Sequence, residues 1–110
     1  MTQQTEDRRR VPTFSAGQIE IIAASTMQFA AVLIDDDLLS NDQKIGAYIH
    51  TRDTINDLMA YVAKHDLEQP DLYELAQGLT MLRNMLAERG LVRRDGGAAR
   101  HLAEFVRASF

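Results

Sequence analysis

Sixteen consecutive residues, Ile19 to Ile34 (IEIIAASTMQFAAVLI), constrain this chain more than any other stretch, because their large apolar side chains fall on most sides of a helix. Taking Ile19 as the origin, the side chains of Ile21, Val32, Phe29, Ile22, Leu33, Ile34 and Met27 sweep roughly 240° at 100° per residue. A helix on the edge of a small domain buries an arc of only about 100° or a little more. The remaining sector holds Glu20, Ala24, Gln28, Ala31 and Asp35. Such a helix is either central in its own domain, buried on three sides as four-helix domains permit, or shared with a second body. Membrane insertion is not expected, since the run is shorter than the roughly 20 residues needed to span a bilayer and Glu20, Ser25, Thr26 and Gln28 interrupt it.

A chain of 110 residues suits one domain with one core. It has no cysteine, which removes disulfides and thiolate metal sites, and it shows no basic-then-apolar signal pattern, so a cytoplasmic location is expected. The net charge of −4 conceals an asymmetry. Residues 15 to 82 hold eleven carboxylates against Lys44, Arg52 and Lys64, whereas residues 83 to 110 hold six arginines against Glu88, Asp95 and Glu104. The body is acidic and the carboxy-terminal end basic.

Residues 1 to 14 read as a flexible polar tail, with Arg8-Arg9-Arg10 and Pro12 and almost no apolar content to offset ordering entropy, and residues 15 to 110 as a single helical domain. Ser15 with Gln18 forms a capping box that opens the first helix. Asp35, Asp36 and Asp37 oppose the negative end of its dipole, so it should stop near Ile34 or continue only weakly to Leu39. The aspartates do not make a calcium loop, because Leu39, Ser40 and Gly46 stand where ligands and the turn glycine would be required. Ser40 with Gln43 opens a second helix, expected from Asn41 to His65, with Ile45, Tyr48, Ile49, Ile55, Leu58, Met59 and Val62 as its periodic face. Arg52 falls inside that face and must snorkel or find a carboxylate, in its own chain or across a boundary. His50, Asp53 and Asp57 share the opposite, solvated face.

Pro70 breaks the helix, and Asp71 with Glu74 starts a third. There Leu72, Leu75, Leu79, Leu82 and Leu86 step at heptad spacing, too briefly for a coiled coil but well suited to a bundle core or a helix pair across a dimer axis. Gly78, Met81 and Met85 run beside this seam. Methionines adapt to varied surfaces, and a mid-helix glycine costs about 1 kcal/mol relative to alanine unless close approach requires it; core filling is the plainer reading of these three and a close-packed partner contact the sharper one, so they join the candidate contact set. Gly90 should close the helix, with Leu91 returning to Leu86. After an Arg93-to-Gly97 turn, Ala98 to Ala108 reads as a short fourth helix anchored by Leu102, Phe105 and Val106. The fold expected is therefore all-α, a small four-helix domain of three longer helices and one short carboxy-terminal helix, forming a homodimer.

Catalytic signatures are missing. No nucleophile–base pattern or phosphate-binding glycine loop is present, and no cofactor or metal site is expected. A small helical domain can conceal a DNA-binding module, but a reading helix should be basic, and Asp71 to Glu88 carries three acids and one arginine. Duplex binding, by phosphate contacts from Arg89, Arg93, Arg94 and Arg100, is the alternative reading, and the acidic body makes nucleic acid the less favoured partner.

The opening MTQQTEDRRRVPTF, running into the Ile19 to Ile34 helix in a chain of this length, resembles the small bacterial quorum-sensing antiactivators of the QslA type. The resemblance implies a helical homodimer that binds the ligand-binding domain of a LuxR-type transcription factor (LasR) and prevents it from dimerising and activating transcription. It carries no contact residues with it. The residues themselves point to a non-enzymatic binding role, with Ile21, Ile22, Phe29, Val32, Leu33, Gly78, Met81 and Met85 as the expected partner or dimer interface.

Overall fold

Each helix begins and ends where local chemistry dictates. The computed structural model describes residues 14–93 and 98–109, and among these the elements are α1 (Ala16–Ile34), α2 (Asn41–Lys64), α3 (Leu72–Glu88) and α4 (Ala99–Ser109). No strand occurs among the described residues. Both serine capping boxes are closed in both directions: Ser15 Oγ accepts from Gln18 N and Gln18 Oε1 from Ser15 N, and Ser40 and Gln43 repeat the exchange. Asp71 Oδ1 accepts from Glu74 N at 3.1 Å, which relieves one of the unpaired donors at the start of α3. The polar-tail reading of residues 1 to 13 lies outside the described residues. Phe14, expected as the last residue of that tail, belongs to the domain: its N–H donates to Tyr61 Oη and its ring meets the Tyr61 ring edge-on at 5.8 Å.

Helix ends follow one pattern twice. At the end of α3, Gly90 takes φ 73°, its N–H donates to the Ala87 carbonyl, and Leu91 N–H donates to the Leu86 carbonyl, which is a Schellman closure. At the end of α2 the same two bonds run from Asp66 N–H to Ala63 and from Leu67 N–H to Val62. Here the left-handed residue is Asp66, at φ 52°. The aspartates after α1 divide their tasks. Asp35 caps the helix by its backbone and its carboxylate meets Arg89 at the end of α3. The Asp36 carboxylate accepts from Leu38 N–H and its carbonyl from Leu39 N–H, forming the turn into α2.

Helix α2 runs antiparallel to α1 and to α3, so α1 and α3 are parallel. α1 packs on α2 and α3, α4 also packs on α2 and α3, and α1 and α4 make no contact with each other. The core lies between these layers: Ile19, Ala23, Ala30 and Ile34 from α1, Tyr48, Ile55, Met59 and Val62 from α2, Leu75, Ala76, Leu79, Leu82 and Leu86 from α3, and Phe105 from α4. The leucine seam of α3 serves this core, with Leu72 partly buried at its edge. Thr26, Thr51 and Thr80 each return a hydroxyl to the carbonyl four residues back, which satisfies a polar group beside the apolar layers.

One alternative is decided and one expectation is corrected. Of the two placements open to α1, the central one does not hold: the helix lies on one flank of the α2–α3 pair and its fully buried residues form a single stripe. In α4, Val106 is 51% exposed, whereas His101 and Phe105 are 0% exposed. The inward face of α4 is centred between positions 101 and 105, one turn of the helix, with Ala98 and Leu102 partly buried beside them. That rotation takes Val106 to the margin.

Urea denaturation should register both features. Phe105→Ala is expected to destabilise the fold by about 3–5 kcal/mol, and Val106→Ala by less than about 0.5 kcal/mol. Gly90→Ala should cost about 1 kcal/mol or more, because alanine is strained at positive φ. Asp66→Gly removes the same strain and should raise the midpoint slightly.

Candidate protein interface

The width of the α1 apolar arc resolves into a buried half and a bare half. Ile19, Ala23, Ala30 and Ile34 occupy roughly 60° of the helix circumference and face the core. On the far side, within a sector of roughly 120°, Ile21 is 68% exposed, Phe29 69%, Val32 63% and Leu33 42%. Ile22 is partly covered. Ile21 borders the start of α3 and Leu33 the start of α2, and Phe29 and Val32 stand clear between them. Scattered exposed leucines and valines are ordinary on a soluble protein, whereas large apolar side chains stacked along one helix face are not. α1, three residues longer than the Ile19 to Ile34 run, is long and apolar enough to cross a membrane by length and composition alone. Its buried stripe nevertheless holds it to α2 and α3.

A second surface lies where α1 and α3 run side by side. Their facing edges enclose a groove of about 310 Å³ lined by Ile21, Ala24, Met27 and Leu75, with Glu20, Asp71 and Glu74 on its rim. It continues past Ala24 and Met27 into a second depression of about 370 Å³ lined by Ala31, Gly78, Met81 and Leu82. This rim escaped sequence reading because its acids come from two helices separated by some fifty residues. Only knowing that α1 and α3 are parallel neighbours brings Glu20 beside Asp71 and Glu74.

The contact set expected from α3 divides. Met81 is 60% exposed and lines the groove. Met85 is packed against the core, so it fills the interior and is not free for a partner. Gly78 is explained within the chain: a Cβ there would stand 2.6 Å from Met27 Sδ and 3.1 Å from Met27 Cε. The glycine permits close approach of α1 and not of a separate body. Leu38, 93% exposed in the α1–α2 turn, and Tyr73, 59% exposed, were not singled out in the sequence because neither belongs to a periodic face.

The arginines are largely engaged at home. Arg89 donates to the Met85 carbonyl and pairs with Asp35, Arg83 Nε donates to the Arg93 carbonyl, and Arg100 stands 3.9 Å from Glu104. Arg94 lies outside the described residues. Arg52 finds its carboxylate next door, with Nη2 3.5 Å from Asp53, and its guanidinium lies 5.9 Å from the centre of the Tyr48 ring, which Arg83 approaches at 6.0 Å. His101 meets the same ring edge-on at 6.4 Å. This cluster ties α2, α3 and α4 together, and it accounts for Arg52 without a boundary between subunits. His50, Asp53 and Asp57 are all exposed, and among the described residues no group of three or more histidines, acids or cysteines is placed to hold a metal ion.

Compared with protein-family models, curated proteins and solved structures, the chain finds no match. The reading of its surface rests on the chain itself.

The Gly78–Met27 contact is testable by a double-mutant cycle. Gly78→Ala in the native background should change stability little, since the gain in helix propensity of about 1 kcal/mol is offset by displacing the methionine tip. In a Met27→Ala background the same change should stabilise by close to that full amount, read from denaturation midpoints.

Proposed function

We propose that this protein is a non-enzymatic regulator that forms a homodimer and acts by covering the apolar surface of another protein. The observation that carries the proposal is the bare sector of α1, where Ile21, Phe29, Val32 and Leu33 stand exposed on one face. Burying apolar surface contributes about 25 cal/mol per Å², and interface energy concentrates in aromatic anchors near the centre of a patch. Phe29 occupies that central position. α1 carries no lysine or arginine, so the face lacks the cations that draw interfacial helices to anionic lipid. This favours a protein over a membrane as the body it meets.

The resemblance to QslA-type antiactivators points in the same direction. On that reading the covered surface belongs to a LuxR-type transcription factor, whose own dimerisation buries an apolar face. A protein presenting a competing face shifts that equilibrium by mass action, as any ligand of one state does. No group in the protein needs to perform chemistry for this. Of the arginines on which the duplex-binding alternative rests, Arg89 pairs with Asp35 and Arg100 stands beside Glu104, which favours the protein-covering reading.

Sedimentation equilibrium of the purified protein should give a dimer at micromolar concentration. A Phe29→Asp/Val32→Asp variant should keep its helical circular dichroism, because both positions are exposed, yet lose binding to the ligand-binding domain of a LuxR-type regulator by about 100-fold or more, as two unpaired buried carboxylates would. A regulator whose own dimerisation is unaffected by a large excess of the native protein would sink the masking reading, and a monodisperse monomer would sink the dimer.

A further inference from the structure

The α1–α3 groove is chemically distinct from the outer face of α1. Its lining is mostly apolar, with Ala24, Ala31 and Met81 beside Met27, whose tip lies over Gly78. Methionines repack around whatever arrives. At one end stand Glu20, Asp71 and Glu74. All three are exposed, none makes an ion pair among the described residues, and no lysine or arginine lines either depression. From Asp71 to Leu82 the groove is roughly 17 Å long, about three helical turns.

We infer that the α1–α3 groove is the docking site for an amphipathic helix of a partner protein, one with an apolar face and basic residues in its last turn. The helix runs antiparallel to α1 and α3. That direction opposes its dipole to theirs, and it sets its C-terminal turn, where lysine and arginine are favoured, against the three carboxylates. The apolar anchors, at helix spacing, fall over Ala24 and Ala31 beside the two methionines. Charge complementarity sets the direction and the choice of partner, and apolar burial supplies the affinity. The inference rests on the protein-covering reading above, and it adds where and in which direction a helical element of the partner would lie.

The probe is a capped helical peptide of about fourteen residues, three turns of which match the groove, with leucines at helix spacing on one face and two arginines in the last turn. Its twin carries glutamates in place of the arginines. Titrated into the isotope-labelled full chain, the arginine peptide should shift the resonances of Ala24, Met27, Gly78 and Met81, and the twin should bind about tenfold or more weakly. Glu20→Lys/Glu74→Lys, both at exposed positions, should invert this preference while keeping helical circular dichroism. Absence of shifts, shifts centred on Phe29 and Val32, or equal binding of the two peptides would overturn the inference. Groove shifts produced without peptide would do the same: on dilution they would assign the groove to a second copy, and on replacing Arg8, Arg9 and Arg10 with glutamate to the chain's own amino-terminal arginines. Because the probe is not a regulator and Phe29 and Val32, the residues altered in the masking test, do not line the groove, failure here leaves that test standing on its own.

Discussion

The stripe by which α1 meets its neighbours governs the rest of the surface. Two of its four fully buried residues are alanines, Ala23 and Ala30, with Ile19 and Ile34 at the ends. Small residues at the centre bring the helix close to α2 and α3, and Gly78 extends that closeness by admitting the tip of Met27. The four buried residues occupy one stripe, and Ile21, Phe29 and Val32 lie outside it.

The opposite flank is built differently. There α4 covers α2 and α3 with Phe105 and His101, and the polar edge of that layer is closed by Tyr48 between Arg52 and Arg83. Its cations are spent on the ring and on carbonyls and carboxylates of the same chain. The two flanks of the α2–α3 pair therefore differ in kind, one closed by internal polar contacts and one bearing exposed apolar and acidic side chains.

What could be read from sequence was what local chemistry decides. Ser15, Ser40 and Asp71 announced three helix starts because a cap and its partner lie within four residues, and Gly90 with Leu91 announced one end for the same reason. The leucines of α3 marked a face to be buried because they form a single heptad stripe, and the fold decides between a bundle core and a helix pair in favour of the core. The breadth of the α1 arc was legible, but which part of it faced inward was not, since every direction offered apolar side chains and the choice depended on Ala23 and Ala30 meeting other helices. His101 was hidden for a related reason: an imidazole counts as polar in a periodicity, and on an eleven-residue helix one such residue is enough to rotate the inferred face toward Val106. The acidic rim of the groove was invisible because Glu20 and Glu74 become neighbours only once the chain has folded.

A helix held by so narrow a stripe also links folding to association. The free energy that anchors α1 comes from one face, so any body that covers the other face adds to the stability of the same helix, by an amount that grows with the logarithm of its concentration over its dissociation constant. Partner binding and α1 docking then reinforce one another without a change of fold. The Asp35–Arg89 pair, joining the ends of α1 and α3 at a side-chain exposure of 73% and 30%, adds only a solvent-screened contact. The apolar seat therefore decides whether α1 stays in place long enough to present Phe29 outward.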